Sequence, residues 1–443
     1  MQLISKTAVE GKPGPTFPEA YRRLDNLQLH NPLTFRHGQP FDAYARMREA
    51  APVCWHTEPD PLPGFWAVTR HADVMRVNGD PAVFSSQRGG ILMDTPDADA
   101  GHVLLTRASY DTMINLDAPH HMQLRREHMP FFTASYLNQL KLKVQAEVTR
   151  LTDAMAGKRE CDLVEEFSSR LPLFTLCEIL GVPEPDRPKF LQWMHYLELA
   201  QNMANDRLEM EIAPTLELIQ FVADFNSNIE EMFAYGQHML HKRRNDPQPD
   251  LLSAIARAQV DGQLLSDEYL DGSWLLIVFA GNDTTRNTLS GAMKLLTEFP
   301  EQKAKLIAQP DLLGNAADEF IRMVSPVIYM RRTALEDAMI ADQKVAAGEK
   351  VVMYYGAANR DPAVFANPDT LDVARANANK HIAFGYGPHV CLGKRVAQIQ
   401  LEEAYRQLLT RFPDITWTGE IDIAPNNFVH AIRKLGVRFS SRH

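Results

Sequence analysis

The sequence predicts a mainly α-helical protein with small β-sheets, and three observations lead to this fold class. Apolar residues recur at three- and four-residue intervals from Val144 to Arg257, the periodicity of helices that bury one face. Further helical patterns extend this α-rich part to about 120–328 and reappear over 392–411. Patterns typical of strands are confined to about 52–70, to 329–355 and to the C-terminal residues.

The first elements follow from local punctuation. Residues 40–51 predict a short helix, and a proline-rich turn joins two strands predicted over 52–56 and 64–69. The stretch from Ser86 to Asp117 predicts a long connection. Because a loop of that length in a compact domain is usually functional, it is a candidate lid.

Later elements follow in the same way. Gly181 and Asn245 begin short turn sequences that interrupt the helical pattern, and Gly348 marks a turn before a strand predicted over 351–355. Residues 436–440 predict a C-terminal strand.

The composition is that of an ordinary globular protein, and we expect the 443 residues to form a single domain after an N-terminal arm of about 30 residues. The formal charge of −10 disfavours a nucleic-acid partner. The first 17 residues contain no long apolar run, so we expect a cytoplasmic protein without a membrane segment. We also expect a monomer. The four cysteines show no CxxC pair, and for all but Cys391 a buried structural role is expected.

Cys391 lies in the segment Phe384–Gly393, after a glycine-rich turn and before a helical pattern. A thiolate near a helix N-terminus accepts backbone N–H hydrogen bonds at the positive end of the helix dipole, so the anion persists at neutral pH and can bind iron. Gly387 and Gly393 would let the backbone approach a flat macrocycle closely. Cys391 is therefore a candidate axial ligand.

This segment resembles the FxxGxxxCxG signature of the cytochrome P450 family at every fixed position, and the resemblance covers the chain from about residue 30 onward. It implies the cytochrome P450 fold, with haem b (iron protoporphyrin IX) between a long central helix and the cysteine loop. It also implies that Phe384 covers the sulfur of Cys391 and that His389 donates to a haem propionate.

Glu319 and Arg322 have i,i+3 spacing in a helical stretch, which places both on one helix face. Taken alone, such a pair is more often an ordinary surface salt bridge. By its order and spacing relative to Cys391, this pair resembles the family's ExxR pair. The resemblance implies a third partner, Arg375. We expect these three residues to lock the core beneath the haem, a structural and not a catalytic role.

An apolar helical pattern from Leu275 runs without a break into Asp283 and Thr284, although burying an aspartate is unfavourable unless function requires it. Helical spacing stacks a stripe along one side of this helix: Leu276, Phe279, Ala280, Asp283 and Thr284. The stretch resembles the family's AGx(D/E)T element, which implies that Thr284 hydrogen-bonds dioxygen and Asp283 relays protons. A helix N-cap is the alternative, and the uninterrupted apolar run disfavours it.

The segment Asp117–Arg126 resembles the family's DPPxHxxxRR motif, with alanine in place of the first proline. His121 and Arg125 lie four residues apart on one predicted helix face. Basic residues at this spacing more often form a solvated face, but the resemblance implies that both bind the haem propionates together with Arg332.

Alignment to the family projects the substrate contacts onto apolar residues: Leu276, Phe279, Ala280, Val327, Ile328, Phe428 and Val429, with the loop around Ile91–Met93. Such a lining predicts a terpenoid, alkane, steroid or fatty-acyl substrate held by shape. The motifs are most similar to those of bacterial alkane- and terpene-hydroxylating members.

No Rossmann fingerprint or iron–sulfur cysteine cluster occurs in the chain. We therefore expect electrons from a separate iron–sulfur ferredoxin with an NAD(P)H-dependent reductase. Arg126, Lys394 and Arg395 are candidate cations for docking that acidic partner.

The function predicted from these motifs is haem-thiolate monooxygenation of an apolar molecule with O₂. Three alternatives stay open: a peroxide-driven peroxygenase, a haem-containing isomerase or dehydratase, and a haem-based sensor or binding protein. The intact pair Asp283 and Thr284 disfavours all three, because none of them requires proton delivery to dioxygen.

Overall fold

The computed structural model describes residues 27–93, 103–194, 196–197 and 216–440. The predicted N-terminal arm lies almost wholly outside these residues. The helices are α1 (Phe41–Ala50), α2 (His71–Gly79), α3 (Val103–Tyr110), α4 (His120–His128), α5 (Ala134–Ala156), α6 (Arg170–Leu180), α7 (187–194), α8 (Leu216–Asn245), α9 (Leu251–Arg257), α10 (Asp267–Glu298), α11 (Pro300–Ala308), α12 (Leu313–Val324), α13 (Tyr355–Ala358) and α14 (Lys394–Arg411).

The strands are short and form small sheets, which confirms the predicted fold class. They are β1 (Val53–His56), β2 (Phe65–Val68), β3 (Phe84–Ser85), β4 (Glu160–Asp162), β5 (Gln259–Val260), β6 (Gln263–Leu264), β7 (Tyr329–Ala334), β8 (Ala338–Ile340), β9 (Gln343–Val345), β10 (Lys350–Tyr354), β11 (Thr416–Ala424) and β12 (Ala431–Arg438).

Most predicted elements occur close to their expected bounds, and the differences have local causes. The predicted 86–117 connection contains α3, so it is not irregular throughout. The strand β4 interrupts the predicted helical stretch. It forms by pairing with β12, which is distant in sequence, so the local pattern does not indicate it. The hairpin β5–β6 also lies inside the predicted α-rich part. The C-terminal strand begins at Ala431, five residues earlier than predicted.

The chain forms two compact units. Of the described residues, the first comprises 27–93, 148–168 and 284–440, and the second comprises 103–147, 169–194, 196–197 and 216–283. The boundaries fall inside α5 and α10, so each of these helices contributes to both units.

A five-stranded sheet in the order β1-β2-β10-β7-β3 organises the first unit. Both of its faces are covered, as the central strand β10 shows, because its side chains alternate between the two faces and are mostly apolar on both. On β10, Val351 and Met353 pack with residues of α2 on one face, whereas Val352 and Tyr354 pack with residues of α1 on the other. The sheet thereby holds β7 and the segment after β3 in place.

An aromatic cluster forms the centre of the second unit. The rings of Phe190, Trp193, Tyr235 and Trp274 have centroid separations of 5.0 to 6.0 Å. A Cβ added at Gly236 would lie 2.8 Å from the Trp274 ring, so this glycine lets α8 approach α10 closely. This packing holds the part of α10 that precedes Asp283 in place.

Of the helices in the described part of the chain, none combines the length and the apolar character needed to span a membrane.

Candidate active site

The cysteine loop leaves Cys391 accessible. Gly385 and Gly387 have φ of 76° and 72°, a left-handed conformation that favours glycine, and they shape the turn before the cysteine. A Cβ added at Gly387 would lie 2.8 Å from the carbonyl oxygen of Asn78, so α2 packs directly against this turn. The amide of Cys391 donates to the carbonyl of Phe384 (2.9 Å), which closes the loop three residues before α14 begins.

Cys391 differs from the other cysteines in exposure. It is exposed, whereas Cys54 and Cys177 are buried and Cys161 is half-buried. Burial raises the pKa of Cys161 and of Cys177 to about 12, so both stay protonated thiols that ligate metals poorly.

Phe384, predicted to cover the sulfur, contacts other residues with its ring. The ring lies 5.4 Å from that of His381 and 5.6 Å from Lys394 Nζ.

Two basic residues of the first unit are held by side chains that the sequence did not point to. Arg332 is 3% exposed and donates to the carbonyl of Arg331 (2.8 Å) and to Asn78 Oδ1 (3.3 Å). Asn78 in turn donates to the Tyr355 hydroxyl (3.1 Å). Burial raises the pKa of Tyr355, which keeps this hydroxyl protonated. Arg332 is thus held in a defined orientation.

His389 has a similar support. Its Nε2 lies 3.3 Å from Ser86 Oγ, and Ser86 is fully buried immediately after β3. The one signal in the sequence for such partners is a polar residue at an apolar position, as with Asn78 beside Val74 and Val77 on the buried face of α2.

His121 and Arg125 lie on one face of α4 in the second unit, as the spacing predicts. His121 is 2% exposed and Arg125 is half-buried. His128 continues this face one turn later, and burial, with a smaller contribution from the Arg125 charge, lowers its pKa to about 4. His128 is therefore a neutral imidazole at pH 7.

Helix α10 carries the predicted stripe as its accessible side. Phe279 is 38% exposed, whereas Val278 beside it is 0% exposed. The accessible positions that match the stripe are Leu276, Phe279, Ala280, Asp283 and Thr284. The turns on either side of this stripe, 270–275 and 285–293, are buried. A row of apolar side chains left accessible between buried turns is typical of a ligand-binding surface.

Two residues on the same helix contact Asp283 and the main chain of Thr284 at the end of this stripe. Asn282 Nδ2 donates to Asp283 Oδ1 (3.1 Å), and Asn282 is 3% exposed. The hydroxyl of Thr288 donates to the carbonyl of Thr284 (2.8 Å), so this carbonyl accepts from a side chain. A Cβ added at Gly281 would lie 3.0 Å from Leu176, so α6 packs closely just before the acid.

The three residues of the predicted ExxR network meet in the interior of the first unit. Glu319 and Arg322 are 0% exposed and form a bidentate pair at 2.7 and 2.8 Å. Arg375 Nε lies 3.0 and 3.1 Å from the two oxygens of Glu319, and the amide of Asp372 also donates to Glu319. The surface salt bridge considered as the alternative is wrong for this pair.

The projected substrate residues of the first unit lie on two adjacent segments. Val327 and Val429 form a β-bridge, and the amide of Ile328 donates to the carbonyl of Phe428 (2.8 Å). Val327, Phe428 and Val429 are half-buried, whereas Ile328 is fully buried in the core cluster with Tyr329.

The candidate docking cations differ in exposure. Arg126 and Arg395 are exposed, and Lys394 is half-buried beside Phe384.

The residues of the described chain fit a haem by their chemistry. A Cβ added at Gly393 would lie 3.7 Å from Cys391 Sγ, so this glycine directly borders the sulfur. The sulfur is a soft ligand suited to iron, and the buried arginine Arg332 is suited to a carboxylate. The accessible apolar stripe of α10 offers a surface for a flat apolar group.

Comparisons with known proteins agree with this chemistry. The family model described as cytochrome P450 matches residues 53–422. Linalool 8-monooxygenase of Pseudomonas putida is 33% identical over 420 residues, which are 94% of this chain and 99% of that protein. Methyl-branched lipid omega-hydroxylase of Mycobacterium bovis is 33% identical over 446 residues, 98% of each chain. The solved structure of a Mycobacterium marinum cytochrome P450 in complex with pseudoionone superposes with a TM-score of 0.82 at 32% identity, over 97% of this chain and 100% of that one.

Proposed function

This chain belongs to the cytochrome P450 family, and from that premise we propose that it hydroxylates an apolar terpenoid or methyl-branched chain. As a monooxygenase of this family it is a haem-thiolate enzyme that uses O₂ and electrons from a redox partner. We infer that the haem is haem b and that the electrons come from an iron–sulfur ferredoxin. The balanced reaction converts RH, O₂, two electrons and two protons into ROH and water.

The substrate class is supported by the apolar side chains that remain accessible. Phe279 and Ala280 on α10, with Val327 and Phe428 in the first unit, offer shape and few hydrogen-bonding groups. Two similar proteins are named for a terpenoid alcohol and for a methyl-branched lipid.

The substrate test is binding of a matched set of compounds to the haem-loaded protein, followed as the shift in haem spin state. Linalool and a methyl-branched alkanoic acid are expected to bind more tightly than an unbranched alkanoic acid of equal carbon number. Tighter binding of the unbranched acid would contradict the proposed branched class.

The haem is held, in this proposal, by Cys391 as the iron ligand and by basic side chains at its propionates: His121, Arg125, Arg332 and His389. When bound, the haem supplies a thiolate-ligated iron at which dioxygen is reduced. Asn78 and Ser86 orient two of the basic side chains through the contacts at 3.3 Å described above.

Asp283 and Thr284 deliver protons in this proposal. A half-buried carboxyl can exchange protons with water, and the adjacent hydroxyl can both accept and donate a hydrogen bond. The amide of Asn282 keeps the carboxylate of Asp283 in one orientation. The observation that carries the function is this acid and hydroxyl at the end of an accessible apolar stripe, together with an exposed Cys391.

Thr284→Ala tests the proton-delivery role. The variant is expected to consume NAD(P)H at a rate similar to the parent while releasing hydrogen peroxide and forming less alcohol. The matched control is Thr285→Ala, which alters the adjacent threonine on the buried side of α10. Equal yields of alcohol per NAD(P)H in both variants would remove Thr284 from the proposal.

A further inference from the structure

Three side chains at alternate positions of β7 reach toward the same neighbouring segment. Tyr329, Arg331 and Thr333 share one side of the strand because side chains alternate with a period of two. All three are buried, at 3%, 6% and 3% exposure. Arg332, between them, turns to the other side and donates to Asn78. One strand thus carries two separate sets of contacts.

The segment 88–93, which follows β3, is held by this side of β7 through its backbone. Thr333 Oγ1 donates to the carbonyl of Arg88 (2.6 Å), and Arg331 Nη1 donates to the carbonyl of Leu92 (3.2 Å). The Tyr329 hydroxyl accepts from the amide of Met93 (3.0 Å).

A further bond is a main-chain one, from the Arg331 amide to the carbonyl of Ile91 (2.8 Å). We call Tyr329, Arg331 and Thr333 the β7 clamp.

The turn inside the segment is shaped to the clamp. Gly89 and Gly90 have φ of 81° and 77°, and a Cβ added at Gly89 would lie 2.4 Å from Arg331 Nη2. Any other residue at position 89 would displace the guanidinium or the turn. The glycine and the arginine therefore form one fitted contact.

Tyr329 also reaches the second segment that carries projected substrate contacts. Its ring packs edge-on against Phe428 at 5.4 Å, and the neighbouring amide of Ile328 donates to the carbonyl of Phe428. Met93 and Phe428 both pack on the core cluster that contains Tyr329. A single side chain thus contacts the backbone of one segment and the side chain of the other.

We propose that Tyr329 and Arg331 are positioning residues that determine substrate selectivity, by fixing the 88–93 segment relative to Phe428. This inference rests on the proposed function, because selectivity presupposes an apolar substrate near these side chains. Moving the 88–93 segment would break hydrogen bonds of buried polar groups. The wall that this segment and Phe428 form beside the substrate therefore keeps one shape. A wall of fixed shape selects among carbon skeletons by fit.

Tyr329→Phe is the sharpest test, because it removes one hydroxyl and keeps the ring on Phe428. The matched control is Tyr354→Phe, since Tyr354 belongs to the same cluster and its buried hydroxyl has no hydrogen-bond partner among the described residues. Arg331→Lys is a second variant. It keeps the positive charge and removes the guanidinium that donates to the carbonyl of Leu92.

Three readouts are taken on the haem-loaded protein: hydrogen exchange of the peptide covering 88–93, the ratio of regioisomeric alcohols from linalool, and the melting temperature. Loss of the Tyr329 bond is expected to speed exchange at Met93 about fivefold. The product ratio is expected to change about threefold or more in Tyr329→Phe and in Arg331→Lys, and to stay at the parent value in Tyr354→Phe. The Tyr329→Phe and Tyr354→Phe variants should melt within a few degrees of the parent.

The proposal is overturned if Tyr329→Phe matches Tyr354→Phe in exchange, or if exchange at 88–93 rises while the product ratio stays unchanged. A parent protein that binds and oxidises neither linalool nor a methyl-branched alkanoic acid contradicts the proposed function instead. In that case the exchange rates of the two tyrosine variants still decide whether the β7 clamp holds the segment.

Discussion

Replacing Glu319 by glutamine is the most informative test of the buried charge network. The carboxylate accepts from Arg322 Nε and Nη2, from Arg375 Nε and from the amide of Asp372, at 2.7 to 3.0 Å. Glutamine keeps the size of the side chain but has one acceptor oxygen. Its amide nitrogen would face guanidinium N–H groups, which are also donors.

The magnitude follows from these contacts. At least two hydrogen bonds to a charged group are lost, and each contributes roughly 1.5–3 kcal/mol, so the free energy of unfolding should fall by about 3–6 kcal/mol. This agrees with the roughly 3–5 kcal/mol lost when a buried ion pair is broken from one side. With an unfolding entropy of about 2.1 cal/mol/K per residue, the melting temperature of the chain should fall by about 3–6 °C.

Thermal melts of Glu319→Gln and of a control variant, followed by circular dichroism, measure this difference. The control is Glu298→Gln, which makes the same chemical change in an exposed i,i+4 pair with Lys294. A surface pair of this kind contributes roughly 0.3–0.5 kcal/mol, so no resolved shift is expected. If Glu319→Gln melts within 1 °C of Glu298→Gln, the hydrogen bonds of the Glu319 carboxylate do not stabilise the fold.

Four further predictions concern the site and its surroundings. Cys391→Ala should abolish the thiolate-type band in a carbon monoxide difference spectrum, whereas Cys161→Ala should retain it. Asp283→Asn should slow product formation and raise the solvent deuterium isotope effect, because a carboxyl that relays protons is lost; an unchanged isotope effect would speak against the relay. Arg395→Glu should slow reduction by ferredoxin in stopped-flow measurements, with the difference shrinking at high salt, and equal rates at low salt would exclude a docking role. His128 has a pKa of about 4 in the folded protein and near 6.5 in the unfolded chain. Because the unfolded chain binds the proton first, the free energy of unfolding of the parent falls as the pH drops from 6.5 towards 4. His128→Leu lacks this loss, so its melting temperature should rise relative to that of the parent between pH 8 and pH 5.

The parts of the site that depend on local sequence were predictable. The turn before Cys391, the i,i+3 pair of Glu319 and Arg322, and the accessible stripe of α10 each follow from residue spacing and from the conformations that glycine permits. The structure places all of them in the local setting that the sequence indicates.

The supporting residues were not predictable, because they are distant in sequence from the groups they hold. Asn78 is 254 residues from Arg332, and Ser86 is 303 residues from His389. Each is an ordinary polar residue with no motif around it. For the same reason the strand β4 was not predicted, since its partner strand lies near the C-terminus. Such contacts are set by the topology of the sheet and by packing.

Odd-numbered and even-numbered positions of β7 face opposite sides of the sheet and make different contacts. Substitutions at positions 329, 331 and 333 are expected to weaken the contacts with the 88–93 segment and to leave Arg332 and Asn78 in contact. The proposed roles in substrate selectivity and in haem binding could then change separately. A one-residue insertion or deletion within the strand would instead exchange its faces and turn the Arg332 side chain to the opposite side. On the proposed role of the β7 clamp, point substitutions on one side of β7 are expected to change what this chain binds, whereas a change in the length of the strand would also displace Arg332.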